Sequence, residues 1–227
     1  MDASGPNLIE SRLKEAAADL RHLLDRGYPK SAALTLVGNR YHLESDLRHL
    51  VHRAVFSTAE ARTRRSRLLA FEQLKGRRLS VDGFNVLITL ESALSDRPII
   101  LADDGVVRDT AGLFSKYLLD DEPGGPSNRA LSLLLDTLEE AGPEHCFIGF
   151  HQAMSRSGEL AAGLRNEMNR RGIPGRAETL RSVESGLLVQ GEVVATANST
   201  LLNRAAAAFD LAGYIVFSKI KRIPQSL

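Results

Sequence analysis

The sequence predicts an α/β protein in two parts: a small helical bundle over residues 1–78, then a Rossmann-like, mostly parallel sheet flanked by helices over residues 79–227. Three observations carry this. Apolar residues recur at helical spacing in the N-terminal part, whereas beyond Leu79 short apolar runs alternate with helical segments, the pattern of βα units. Charge divides at the same place: residues 1–78 hold 15 Lys and Arg against 9 Asp and Glu, and residues 79–227 hold 14 against 19. A basic part joined to an acidic part points either to a polyanion held by one of them or to mutual attraction of the two.

In the helical part, Ile9, Leu13, Ala16, Leu20, Leu23 and Leu24 mark a helix over 8–26, with Asn7 as its cap and Gly27 where a terminating glycine belongs. Pro29 opens a second helix, with Ala33, Leu34, Leu36 and Val37 on its inner face. A third runs over 45–56, capped by Ser45, with Leu47, Leu50, Val51, Ala54 and Val55 inward. Arg62, Arg64, Arg65, Arg67, Lys75, Arg77 and Arg78 then crowd a segment whose one acid is Glu72, read as a helix followed by a hinge at Gly76. The boundary falls here. Strands are expected at 79–81, 98–102, 145–150, 176–180, 193–196 and 214–217, and helices at 85–94, 110–119, 128–141, 159–171 and 199–209. The loop Glu122-Pro123-Gly124-Gly125-Pro126-Ser127 interrupts the series.

Composition excludes several classes. A chain of 227 residues, 43% of them hydrophobic, buries a core without staples. The one cysteine, Cys146, rules out an intramolecular disulfide and sits in an apolar run that reads as a core strand, which fits a reducing compartment. No apolar run is long enough to span a membrane, and the first residues lack the basic start and apolar stretch of a signal peptide. A cytoplasmic protein without a membrane partner is expected. No Gly-x-Gly-x-x-Gly or Walker-type loop supports a nucleotide cofactor, and no Gly-x-Ser-x-Gly elbow supports a serine hydrolase. A homo-oligomer stays open.

In an open parallel sheet, ligands bind beyond the carboxyl ends of the strands. Behind the expected strands come Asp82 and Asn85, then Asp103, Asp104 and Asp109, then Asn198, and finally Lys219. Taken singly each is a turn or cap residue. Taken together, carboxylates gathered on one rim repel unless a cation or a shared proton joins them, and Mg²⁺ or Mn²⁺ suits oxygen ligands.

The run Leu79-Ser80-Val81-Asp82-Gly83-Phe84-Asn85-Val86-Leu87 resembles the first strand and turn of PIN-like and NYN ribonuclease domains, with Asp82 and Asn85 in the matching places. The run from Val193 through Thr196-Ala197-Asn198-Ser199-Thr200 to Leu202 resembles their later Thr-x-Asp-x-Asp strand, with Asn198 and Thr200 where acids are expected. The N-terminal run Arg26-Gly27-Tyr28-Pro29-Lys30, with Leu36-Val37-Gly38-Asn39-Arg40-Tyr41-His42-Leu43, resembles a prokaryotic family known as domain of unknown function 434. The nuclease resemblance implies that Asp82, Asp103 or Asp104, and Asp109 are metal ligands that hold one or two ions, Mg²⁺ or Mn²⁺, which activate water and neutralise phosphate charge. It also implies that Asn85 and Asn198 orient water or phosphate and that Lys219 meets the substrate backbone.

In the basic part, Arg40, Arg48, Arg53, Arg62, Arg64, Arg65 and Arg67 are the expected contacts to an RNA backbone. The bland alternative is a charged surface packed against the acidic half. His49 and His52 have no third ligand at metal spacing, so a solvated face is expected there. The reading is a metal-dependent, RNA-directed phosphodiesterase. The alternative, which Asn198 and Thr200 favour, is a non-catalytic RNA-binding or regulatory protein on a degenerate PIN-like site.

Overall fold

The computed structural model describes residues 6–110 and 124–227. All but the first residue of the helix expected at 110–119, and the first residues of the following loop, lie outside the described residues. The N-terminal part packs helices α1 (Pro6–Asp25), α2 (Lys30–Arg40), α3 (Ser45–Ala54) and α4 (Thr58–Arg65). Their shared core holds Leu13, Ala16, Ala17, Leu20, Ala33, Val37, Leu50 and Val51. Gly27, at φ +81°, takes the left-handed turn that ends α1. Glu44, not Ser45, holds the cap position of α3, Asn7 falls inside α1, and Leu36 is 60% exposed rather than inward.

A 3₁₀ turn (Phe71–Leu74) leads into β1 (Arg78–Asp82) and α5 (Gly83–Leu94). Then come the short strands β2 (Ile99–Leu101) and β3 (Val107–Asp109), α6 (Pro126–Ala141), β4 (His145–His151), α7 (Ser157–Arg171) and β5 (Gly175–Leu180). The chain closes with α8 (Val183–Gln190), β6 (Val193–Ala195), α9 (Ser199–Arg204), β7 (Ala208–Phe209), α10 (Leu211–Ile215) and a π-helical turn (Val216–Ile220).

The main sheet has the order β5-β4-β1-β6-β7, and every pairing in it is parallel. Both faces of its central strands are covered, so β4 and β6 are near-continuous apolar runs, whereas the edge strand β5 carries Arg176 and Glu178. Leu79, Val81, Ile148, Phe150, Val193 and Ala195 enter the larger core beneath α5, α6, α7 and α10. Phe147 and Val194 turn the other way, against Leu187 of α8 and Leu201 of α9. Ser80, on that second face, is satisfied by donating from Oγ to the Leu187 carbonyl at 2.9 Å.

Three expectations are corrected here. The 98–102 run is not a strand of the parallel sheet: β2 pairs antiparallel with β3 in a separate ribbon, and Gln225 hydrogen-bonds to both Ile99 and Leu101 from its other edge. Its apolarity has a different cause. Ile99 is buried in the sheet core, while Ile100 and Ala102 complete the core of the helical part. The 214–217 run is helical, because the Asp210 carboxylate accepts from the Gly213 amide at 2.9 Å and starts a turn there. The helix expected at 199–209 stops at Arg204, and its tail becomes β7. Among the described residues no helix is long and apolar enough to cross a membrane.

Candidate functional site

From β1 the chain builds the sheet outward through β4 and β5, then returns across it to add β6 and β7. The order therefore reverses between β1 and β6, and a crevice opens beyond the carboxyl ends of those two strands, the place where open α/β sheets bind ligands. Asp82 ends β1, and Thr196 follows β6. Thr196 donates from Oγ1 to Asp82 Oδ2 at 3.0 Å and accepts from the Asn198 amide at 3.0 Å. Asn85, in the first turn of α5, accepts from the Ala197 amide at 2.7 Å. Asn198 caps α9 by accepting from Thr200 at 2.8 Å and Leu201 at 3.3 Å, and its amide reaches Glu184 at 3.5 Å. Burial raises the Asp82 carboxyl to about 6; the Thr196 hydroxyl and Asn85 backbone amide oppose this, and the Glu184 charge adds to it.

The structure thus brings Asp82, Asn85 and Asn198 together. It places Asp103, Asp104 and Asp109 elsewhere, in the joint between the two parts. Asp103 receives a two-pronged contact from Arg21, at 2.9 and 2.7 Å, and the Phe56 amide at 3.1 Å. Asp109 receives Arg53 at 2.9 Å. Asp104 is fully buried between two guanidiniums, with Arg108 at 2.6 and 2.8 Å and Arg64 at 3.0 Å. Burial pushes the Asp104 carboxyl up, but Arg108 and then Arg64 outweigh it and hold it below the ordinary range. A metal was expected to offset the repulsion of these acids; arginines from both parts do so instead. Among the described residues no group of three or more His, Cys, Asp or Glu is placed to hold a metal ion.

Most of the basic cluster is likewise committed to the joint or to its own helices. Arg65 holds the Asp103 carbonyl at 2.8 Å, and Arg67 holds the Leu202 and Asn203 carbonyls at 3.1 and 2.8 Å. Arg48 folds over Gly38 onto the Leu43 carbonyl at 2.7 Å. Arg40 pairs loosely with Asp19 at 3.6 Å, and Arg62 lies exposed on α4. Lys219 is on the π-helical turn, bound to Glu140 of α6 at 2.5 Å.

What faces the crevice from the other side is α2, α3 and α4. Between the two parts lies a cleft of about 410 Å³, lined on one wall by Asn85, Asn198 and Asn203 and on the other by Lys30, His49, His52 and Arg53, with Arg64 and Arg108 at its base. The Phe56 ring organises these cations. Lys30 Nζ sits 3.9 Å from its centroid, and the guanidinium carbons of Arg64 and Arg108 sit at 4.1 and 5.1 Å. Lys30 also donates to the Val55 carbonyl at 2.7 Å. Burial lowers its ammonium to about 8, with Glu60 opposing and Arg64 and Arg108 reinforcing the shift. His52 is lowered too, chiefly by burial and then by Lys30 and His49.

Lys30, Phe56, Glu184, Thr196 and Arg108 were not singled out as site residues by the sequence, yet two of them carried a signal. Lys30 is a cation in the first turn of a helix, where the dipole disfavours it. Arg108 interrupts the apolar run Val106-Val107 immediately before Asp109.

Two family models match the chain in succession. Residues 71–214 match the family described as Domain of unknown function (DUF5616), and residues 12–67 match the one described as Protein of unknown function (DUF434). An uncharacterized protein of Methanocaldococcus jannaschii is 32% identical over 190 residues, spanning 84% of this chain and 88% of its own. No solved structure matches the chain. On the strength of the long match and of that relative, the chain belongs to the DUF5616 family and carries a DUF434 segment ahead of it.

Proposed function

We propose that this protein binds single-stranded RNA in the cleft at the strand-order reversal, with the α/β part acting as a degenerate PIN-like domain. The observation that carries the reading is the cleft lining, where cationic side chains of α2–α4 face three amide side chains of α5 and α9. Cations neutralise phosphate and amides read or orient polar groups, a division of labour suited to a nucleic acid. Two exposed histidines at the cleft, His49 and His52, add charge when protonated. The test is fluorescence anisotropy with a labelled oligoribonucleotide across a salt series. Binding is expected to weaken with salt at a slope of roughly −0.7 per neutralised phosphate. The double variant His49→Glu, His52→Glu is expected to bind at least about tenfold more weakly, since it places two negative charges on the wall. RNA binding that is absent at low salt, or untouched by this variant, overturns the reading.

One observation favours a second reading, the metal-dependent RNA phosphodiesterase. The charge of Glu184 reaches Asp82, so two carboxylates share the rim. The full donor set expected from the sequence does not fit, because Asp103, Asp104 and Asp109 are held by guanidiniums. Asp82 and Glu184 remain as the residues that would hold Mg²⁺ or Mn²⁺, a number Mg²⁺ accepts when substrate phosphates complete its shell. On this reading the protein cleaves single-stranded RNA in Mn²⁺ and Asp82→Asn does not; no cleavage by the unaltered protein, or equal cleavage by the variant, rejects it.

A further inference from the structure

The cleft is small and its strongest charges lie at the bottom. Arg64 and Arg108 are each 2% exposed, and Phe56 beneath them is 4% exposed. A volume of about 410 Å³ suits a single nucleotide-sized group. An internal phosphodiester brings both of its neighbours with it, whereas a chain end brings one, so a cleft of this size favours the end.

Charge points the same way. At the base the Arg64 and Arg108 guanidiniums share the Asp104 carboxylate, and Arg64 also meets Glu60 at 3.2 Å, so the surplus positive charge rests on Lys30, which stands beside them. Arg53 spends Nη2 on Asp109, and among the described residues its buried Nε has no hydrogen-bond partner. A phosphodiester brings one negative charge to such a place. A terminal phosphomonoester brings about −1.5 to −2 at neutral pH, with three acceptor oxygens. Charge-assisted bonds to guanidinium and ammonium groups in a site sheltered from water are the strong class of hydrogen bond.

We propose that the cleft is a receptor for a terminal phosphomonoester, the phosphorylated end of an RNA strand. This rests on the RNA-binding reading and sharpens it. The upper wall of histidines and amides takes the end nucleotide, and Lys30 with the cationic base takes the phosphate. The same chemistry is offered by a free mononucleotide, and the experiment separates the two sources.

One oligoribonucleotide sequence is prepared with hydroxyl at both ends, with phosphate at the 5′ end, and with phosphate at the 3′ end, each labelled at the opposite end. Affinities for the full-length protein are compared by anisotropy. One of the two phosphorylated forms is expected to bind about tenfold or more tightly than the form without phosphate, the increment of an added charge-assisted contact set. In Lys30→Met that preference is expected to shrink to within about twofold, since the ammonium is the phosphate's mobile partner. The exposed variant His52→Gln, which touches no core contact, is expected to reduce it as well, so the idea stays testable if the Lys30 variant folds poorly. Equal affinity of all three strands refutes end recognition while leaving RNA binding intact. Absence of salt-dependent binding to every strand refutes both. Displacement of the phosphorylated strand by an equimolar nucleoside monophosphate assigns the site to free nucleotides and overturns the RNA-end form.

Discussion

Asp82 was singled out as a metal ligand because it closes an apolar strand, and the structure gives it a further property. Its carboxyl titrates near 6 in the fold against 3.8 ordinarily, because burial disfavours the anion more than Thr196 and the Asn85 amide support it. The sign of the consequence is fixed. Between these two values the folded protein keeps a proton that the unfolded chain has released. Stability from this group is therefore complete below about pH 4 and is lost as pH rises through about 6. Asp82→Asn removes that loss. It is expected to stabilise the protein by about 1–2 kcal/mol near neutral pH, less than full conversion of the shift because Asp82 keeps some contact with solvent. Below about pH 4 the gain should vanish. Urea denaturation at the two pH values measures it. A gain of equal size at both, or a loss at neutral pH, means that the carboxylate is not held in an environment favouring its neutral form. A residue that costs stability where it stands is the kind that a ligand or ion would repay.

At the scale of elements, periodicity and apolar runs located most helices and the strands β1, β4, β5 and β6, because each of these buries a face in a core whose pattern is local. Where reading failed, the missing information was which partner did the burying. β2 is as apolar as β4, yet it serves two cores from an antiparallel ribbon, and nothing in Ile99-Ile100-Leu101 distinguishes those fates. The last apolar run turned helical on a cap three residues ahead of Gly213, a single hydrogen bond that the Gly213 amide donates to the Asp210 carboxylate. The site divided along the same line. Asp82, Asn85 and Asn198 were legible because they follow strands that do lie side by side, or in the first turn after one. Asp103 and Asp104 were misread because they follow β2, whose rim is not that of the sheet. The arginines were legible as a cluster but not as joint-makers, since sequence gives their charge and not the carboxylates they meet across 40 to 56 residues of chain.

For the whole molecule, the charge asymmetry has found its meaning in that joint. Of the two explanations offered for it, mutual attraction is the one the ion pairs express: arginines of the basic part clasp Asp103, Asp104 and Asp109 of the acidic part. The helical part cannot be regarded as a self-sufficient bundle, because Ile100 and Ala102 sit in its core. Asp104 is the centre of the joint, joining Arg64 of α4 to Arg108 of β3 with no exposure of its own. Replacing it by Asn leaves two buried guanidiniums facing each other with half their partner gone. A broken buried pair costs roughly 3–5 kcal/mol, since the uncompensated charge stays desolvated. Asp104→Asn should therefore lose about 3 kcal/mol or more near neutral pH. The depressed carboxyl of the unaltered protein supplies this stability above the ordinary carboxylate range and loses it as pH falls through its folded value, so the gap between variant and parent should narrow in acid. Because Asp104 ties α4 to β3, its removal should quicken amide exchange in α1–α3 and in β1 and β6 together. Exchange that quickens in the helical part alone, with the sheet as protected as before, would mean that the two parts unfold separately and that Asp104 is an internal fastener of one of them, not the clasp between both.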